Sequence, residues 1–250
     1  SLIARPWISP RYPVSGANLP TSPDRAGNPA LVPEQANGVD LAVERYLGSG
    51  GVLSANLFLR RLRDVIRSQT TLESVSWSPV PRWVARPQNI GDAVSRGIEL
   101  EAKFRLNEVA EALPAVDVRA NASFYRSRVA SVPGPDNRLD QQADATANIG
   151  LDYRVPGTPF TLGGSFNLTP AYETRLAESQ WAEQGRKRVV DAYVQWAVSP
   201  SLRLRLSASN LDPADYLTGA RQLVDSGRLE TARTVASSYV AWRLRAEWRL

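Results

Sequence analysis

Apolar and polar residues alternate with a period of two along most of this chain. That is the spacing of β-strands that turn one face to an apolar medium and the other to water. The pattern is plainest at the end, where "YVAWRLRAEWRL" (Tyr239–Leu250) sets Val240, Trp242, Leu244, Ala246, Trp248 and Leu250 against Arg243, Arg245, Glu247 and Arg249. Reading backwards, the alternation recurs over 202–208, 190–198, 160–168, 143–155, 116–124, 98–106 and 53–59, and more briefly over 39–43. The apolar rows of these nine predicted strands hold no Asp, Glu, Lys or Arg, whereas charges are frequent in the opposite rows. The opening "SLIARPWI" reads as the stub of a tenth strand.

Two media can cover such a face: a second sheet in a soluble sandwich, or lipid around a membrane barrel. Strand length favours lipid. Globular strands average about 5–6 residues and a tilted spanning strand takes roughly 9–11, and the alternations over 93–106, 142–155 and 239–250 are long. A charge on the lipid face at mid-bilayer costs about 2–4 kcal/mol, enough to keep those rows uncharged. The connections point the same way. "GSGG" (Gly48–Gly51), 107–114, "PGT" (Pro156–Thr158) and "SP" (Ser199–Pro200) are short or moderate, and alternate with long stretches at 67–92, 129–140, 169–188 and 211–232. Short turns on one rim and long loops on the other are the habit of outer-membrane barrels. By this parity the C-terminus lies on the short-turn, periplasmic side. Trp196, Trp242, Trp248, Tyr153, Phe160 and Phe166 all fall on the apolar face, several near strand ends, as girdle aromatics do.

Composition removes chemistries. There is no Cys and no His, so thiolate nucleophiles, disulfides, imidazole bases and the common zinc sites are excluded; no catalytic residue, metal or cofactor is expected, and an enzyme is the least favoured class. Net charge is +5, but the basic residues, of which only Lys103 and Lys187 are lysine, are interleaved with acids along strands. Nucleic-acid binding needs them clustered on one surface and is not expected. The chain opens on Ser1 and contains no Met, which reads as part of a longer protein with further strands upstream.

Five stretches resemble the barrel of TonB-dependent outer-membrane receptors. "NPALVPEQANGVDLAVE" (Asn28–Glu44) resembles the family's entry into a descending strand, and "ANLFLRRLRDVI" (Ala55–Ile66) the next, ascending one. "NIGDAVSRGIELE" (Asn89–Glu101) and "LSASNLDPADY" (Leu206–Tyr216) are similar to later strands, and the last twelve residues to the closing strand. The resemblance implies an all-β fold: an antiparallel transmembrane β-barrel of about 22 strands, of which residues 1–250 supply about the last nine or ten, without the family's N-terminal plug. It implies a bacterial outer-membrane location and energised uptake of a scarce nutrient such as a ferric siderophore. The implied partners are a small-molecule ligand, outer-membrane lipid and lipopolysaccharide, the barrel-assembly machinery, and a TonB-type energy-coupling protein reached through the missing N-terminal part. Tyr239, Trp248 and Leu250 stand where the family carries its assembly signal, although the family usually ends on an aromatic residue.

Candidate contacts are few. Arg203, Arg205, Arg243 and Arg245 form an arginine-bearing polar wall suited to attracting anions. Glu99 and Glu101 share a row with Lys103 and Arg105, which are expected to neutralise them. "NLDPADY" reads as a turn rather than a calcium loop, and "GRKR" (Gly185–Arg188) as a basic cluster at the outer rim. A plugless porin and a soluble all-β binding module remain the alternatives.

Overall fold

The computed structural model describes residues 8–9, 18–48, 50–224 and 227–249. The chain begins with β1 (Ile8–Ser9), β2 (Asp24–Ala26), β3 (Gln35–Tyr46), β4 (Val52–Arg63), β5 (Ile66–Glu73) and β6 (Arg82–Asn89). It continues through β7 (Ala93–Arg105), a single helical turn α1 (Leu106–Val109), β8 (Val116–Val129), β9 (Ala145–Arg154) and β10 (Phe160–Thr169). Last come β11 (Tyr172–Ala177), β12 (Gln180–Gln184), β13 (Lys187–Ala197), β14 (Leu202–Ser209), β15 (Tyr216–Leu223), β16 (Leu229–Ala236) and β17 (Ala241–Trp248).

Nine of these strands form one sheet in the order β17-β14-β13-β10-β9-β8-β7-β4-β3, antiparallel at every step. They are the nine strands the alternation predicts. Each is hydrogen-bonded to its neighbour in this chain order, so the sheet is an open meander. Strands β3, β4, β7 and β8 run 12 to 14 residues, beyond the globular norm and long enough to cross a bilayer. The "SLIARPWI" stub falls outside the described residues except for Ile8.

The register aligns the apolar rows. Leu41 faces Leu57, which faces Ile98, which faces Phe124. Most of this face is uncovered among the described residues: Leu41 is 60% exposed, Val39 72% and Leu244 73%, although Val118 and Ala208 are buried. Soluble monomers rarely leave a contiguous apolar surface beyond a few hundred Å², and a sandwich would have buried these side chains under a second sheet. Residues Val65, Ile90, Ala93, Val129 and Val132 do form a small core, but it sits at one rim, under the long connections.

Those connections depart from expectation. Residues 67–92, 169–188 and 211–232, expected as loops, fold into the hairpins β5–β6, β11–β12 and β15–β16. The first joins β1 and β2 in a four-stranded sheet that includes a parallel β2–β6 pairing; the other two pair with each other in the order β11-β12-β15-β16. Stretches such as "IRSQTTLE" in β5 lack an uninterrupted apolar row because these strands extend past the apolar band, where neither face has to meet lipid. The last strand is also shorter than its alternation. Pairing with β14 starts at Ser209–Ala241, because Asn210 turns the chain away with φ 58°.

Candidate functional site

The polar face of the sheet and the hairpins above it carry most of the charged contacts. Arg203 and Arg205 on β14 stand opposite Glu247 and Arg245 on β17, and Arg243 stands opposite Ser207. Like charges directly opposed across a ladder are unfavourable, and both members of the Arg205–Arg245 pair have another partner. The Arg205 guanidinium lies 3.6 Å above the centre of the Tyr193 ring, and Arg245 pairs with Glu247 at 3.1 Å. Tyr193 in turn donates its hydroxyl to Asp152. Gly163, between Tyr193 and Asp152 in the register, makes room for this arrangement: a Cβ there would overlap the Tyr193 ring and sit 2.6 Å from Asp152 Oδ1. The predicted arginine wall therefore exists as a row of polar-face side chains, two of which are held by neighbours.

Of the row Glu99, Glu101, Lys103 and Arg105, expected to neutralise itself, Glu99 and Arg105 take partners on neighbouring strands instead. Arg105 reaches across to Asp117 at 3.0 Å, while Glu99 accepts from Asn56 Nδ2 and from the Tyr125 hydroxyl, both at 3.2 Å. Directly opposed residues lie about 5 Å apart, whereas residues four apart on a strand are separated by roughly 13 Å, so cross-strand partners prevail. Asp212 of "NLDPADY" is engaged by Arg188 of the basic cluster at 2.7 Å. Tyr239 precedes β17 and accepts a hydrogen bond from Asn210 Nδ2 through its carbonyl. Trp248 ends β17 opposite Leu202, exposed on the apolar face. Leu250 lies outside the described residues.

Residues 5–211 match the family profile described as TonB dependent receptor-like, beta-barrel. The chain belongs to the TonB-dependent receptor β-barrel family. Among solved structures it is similar to P. aeruginosa FpvA bound to a heterologous pyoverdine with iron, at 14% identity and a TM-score of 0.53 over 75% of this chain and 24% of that one. It is also similar to the Pseudomonas aeruginosa ferric enterobactin receptor PfeA in its R480A form with enterobactin, at 15% identity and a TM-score of 0.54 over 89% and 33%. A third is the outer membrane transporter YddB of Escherichia coli, at 11% identity and a TM-score of 0.51 over 91% and 34%. The chain spans about a quarter to a third of the length of these structures. No curated protein matches it.

In this TonB-dependent receptor barrel the best-built polar cluster is one that periodicity did not reveal. Arg67 on β5 is buried, 4% exposed. Its Nη1 donates to the carbonyls of Arg175 and Leu176 at 3.3 and 3.0 Å, and its Nη2 to the carbonyl of Arg138 at 2.7 Å. Burial pushes its pKa below the ordinary arginine value, with nearby Asp140 offsetting part of the effect; the group remains a cation, as arginine does in proteins. Arg138 is itself held by Asp144 at 2.7 Å and Asp136 at 3.0 Å. On the neighbouring hairpins the Trp181 ring lies between the guanidiniums of Arg175 and Arg221, at 5.1 and 5.8 Å, and Arg221 pairs with Glu173. Guanidiniums and aromatic faces are groups suited to recognising anionic and aromatic ligands. Arginine is no denser in the stretches read as loops than in the rest of the chain, so no sequence signal singled this cluster out.

Proposed function

We propose that residues 1–250 form the C-terminal part of the barrel of an outer-membrane receptor that imports a scarce nutrient such as a ferric siderophore. In this reading the long hairpins face outward, the short turns and the C-terminus face the periplasm, and the ligand meets the hairpins and the polar wall that includes Arg203, Arg205, Arg243 and Arg245. No covalent chemistry is involved. The plug and the contact with a TonB-type energy-coupling protein belong to the remainder of the receptor, and Tyr239, Trp248 and Leu250 serve the barrel-assembly machinery.

One observation carries this reading: the nine-stranded meander leaves an apolar face with an aligned, charge-free central band largely uncovered while hairpins crowd one rim. That arrangement is stable in lipid and a liability in water. The siderophore class is supported by the ligands bound in the similar structures, pyoverdine and enterobactin.

These 250 residues contain no Cys, so single cysteines introduced here, with any cysteine elsewhere in the receptor replaced, report orientation. Ser78→Cys, between β5 and β6, should react with a membrane-impermeant maleimide on intact cells. Thr158→Cys, between β9 and β10, should react only after the outer membrane is opened. The reverse pattern, or recovery of the protein in the cytosol, overturns the proposal. Uptake of radiolabelled iron with different siderophores then tests the ligand class.

A further inference from the structure

Among the edge strands of the two outer sheets, β5 and β11 are blunted. On β5 the Glu34 carboxylate takes the Ile66 N–H at 3.0 Å and Gln180 Oε1 takes the Thr70 N–H at 3.4 Å. On β11 the register shifts between Arg175 and Ala177, and the Asp136 carbonyl takes the Arg175 N–H at 2.7 Å. Capping or distorting an edge keeps it from pairing with another strand. β16 has neither device. It pairs with β15 at every position from Leu229 to Ala236 without a bulge, contains no Pro or Lys, and ends the order β11-β12-β15-β16. The Val224 N–H bonds the Arg228 carbonyl at the turn. By antiparallel alternation the N–H groups of Thr231, Arg233 and Val235 then point to the open side, and no side chain among the described residues caps them.

The open edge of β16 continues that of β17. The sheet β11-β12-β15-β16 stands strand for strand on β10-β13-β14-β17, because β10 leads into β11, β12 into β13, β14 into β15 and β16 into β17. The junction is tied by the Gly185 N–H on the Leu217 carbonyl, the Ser238 hydroxyl on the Ala214 carbonyl and Asn210 Nδ2 on the Tyr239 carbonyl. Leu229–Trp248 is therefore one edge of about 20 residues, roughly 66 Å long in extended chain. Crossing the bilayer takes only about 9–11 residues. A strand that meets β17 and continues outward next meets β16. Both charges on β16 are already paired, Glu230 with Arg228 at 2.7 Å and Arg233 with Glu183 at 3.1 Å, so neither repels it. Leu229 and Val235, 49% and 56% exposed, are apolar side chains that such a strand would cover.

We propose that the first strand of the complete barrel, in the part of the receptor that precedes these residues, runs on past β17 and pairs with β16. Closing β17 is what any barrel requires. Pairing with β16 is a further step, which carries the seam above the bilayer and makes β11, β12, β15 and β16 part of a closed wall rather than a free flap. It also supplies partners for the Thr231, Arg233 and Val235 N–H groups and removes an edge that would otherwise template aggregation. The inference rests on the membrane barrel proposed above.

The test uses the full-length receptor in native outer membranes, with the photoreactive residue p-benzoylphenylalanine placed singly at Leu244 on β17 or at Thr231 on β16. Irradiation should join each position to one upstream stretch of the same chain, mapped by mass spectrometry. Antiparallel partners advance one residue for each residue passed, so the two attachment sites should lie about 13 residues apart, with the Thr231 site later in the chain. The N–H groups of Thr231, Arg233 and Val235 should exchange with deuterium as slowly as those of Leu244 and Ala246. Fast exchange at those three overturns the proposal, as does a Thr231 cross-link to a second copy or to another protein. Should the Thr231 variant fail to reach the membrane, Thr234 gives the same test, and absence of an upstream cross-link from both positions is equally fatal. If Leu244 also finds no upstream strand, the barrel reading itself falls; Leu244 joined upstream with Thr231 and Thr234 unjoined overturns only this inference.

Discussion

Arg67 and Arg138 are 71 residues apart in the chain, yet the guanidinium of the first donates to the backbone carbonyl of the second at 2.7 Å. The same side chain also holds the carbonyls of Arg175 and Leu176, so one buried cation ties together three of the long connections. Three oriented carbonyl dipoles hold the cation, and the nearby Asp140 carboxylate adds to them.

Replacing Arg67 by Ala should release the hairpins without unfolding the sheet. Hydrogen bonds to a charged group contribute about 1.5–3 kcal/mol each, and partial replacement by water leaves a net loss of roughly 2 kcal/mol or more. Limited proteolysis of intact cells should cut within 130–144 and 170–186 at least about tenfold faster, with the heat-modifiable gel shift of the barrel preserved. Unchanged cleavage would show that the clamp is dispensable.

The two faces of β7 should respond oppositely to the same charge. Ile98→Lys places a cation in the apolar band and should cost about 2–4 kcal/mol, visible as less folded protein in the outer membrane. Glu99→Lys, one residue along and on the polar face, should assemble at near-normal levels. Equal loss for both sinks the assignment of faces.

Gly163 should tolerate a methyl group only when Tyr193 is removed. Gly163→Ala forces the Tyr193 ring and the Asp152 carboxylate to shift, an overpacking cost of about 1–3 kcal/mol. In Gly163→Ala/Tyr193→Ala part of that cost should disappear, giving a non-additive cycle in the unfolding temperature of the gel shift.

Reversing charge at Arg203 and Arg243 tests the polar wall, since these two lack the stacking and pairing that hold Arg205 and Arg245. With Arg203→Glu and Arg243→Glu, uptake of an anionic ligand should slow severalfold, and more so at low ionic strength, because screening removes long-range attraction. If uptake of every anionic ligand is unaltered, the wall has no steering role.

The sheet was legible in the sequence wherever one face had to meet an apolar medium. Rows such as Leu53–Leu59 and Ile98–Leu106 admit no charge, so period two stands out and the strand order follows from successive hairpins. The hairpins were not legible, because β5, β11 and β15 have no face that must exclude charge. Glu99 and Arg105 show the same limit at the scale of pairs: their row was readable, but their partners Asn56 and Asp117 lie on neighbouring strands.

By itself, then, the sequence determined the nine two-faced strands, the alternation of short and long connections, and the absence of thiol or imidazole chemistry. Only the tertiary structure decided which residues meet: Arg67 with Arg138, Arg205 with Tyr193. The physical reason is range. Alternation is a local response to the medium on either side of a strand, whereas register and hairpin docking are set by contacts between residues distant in the chain, and these leave no period to read.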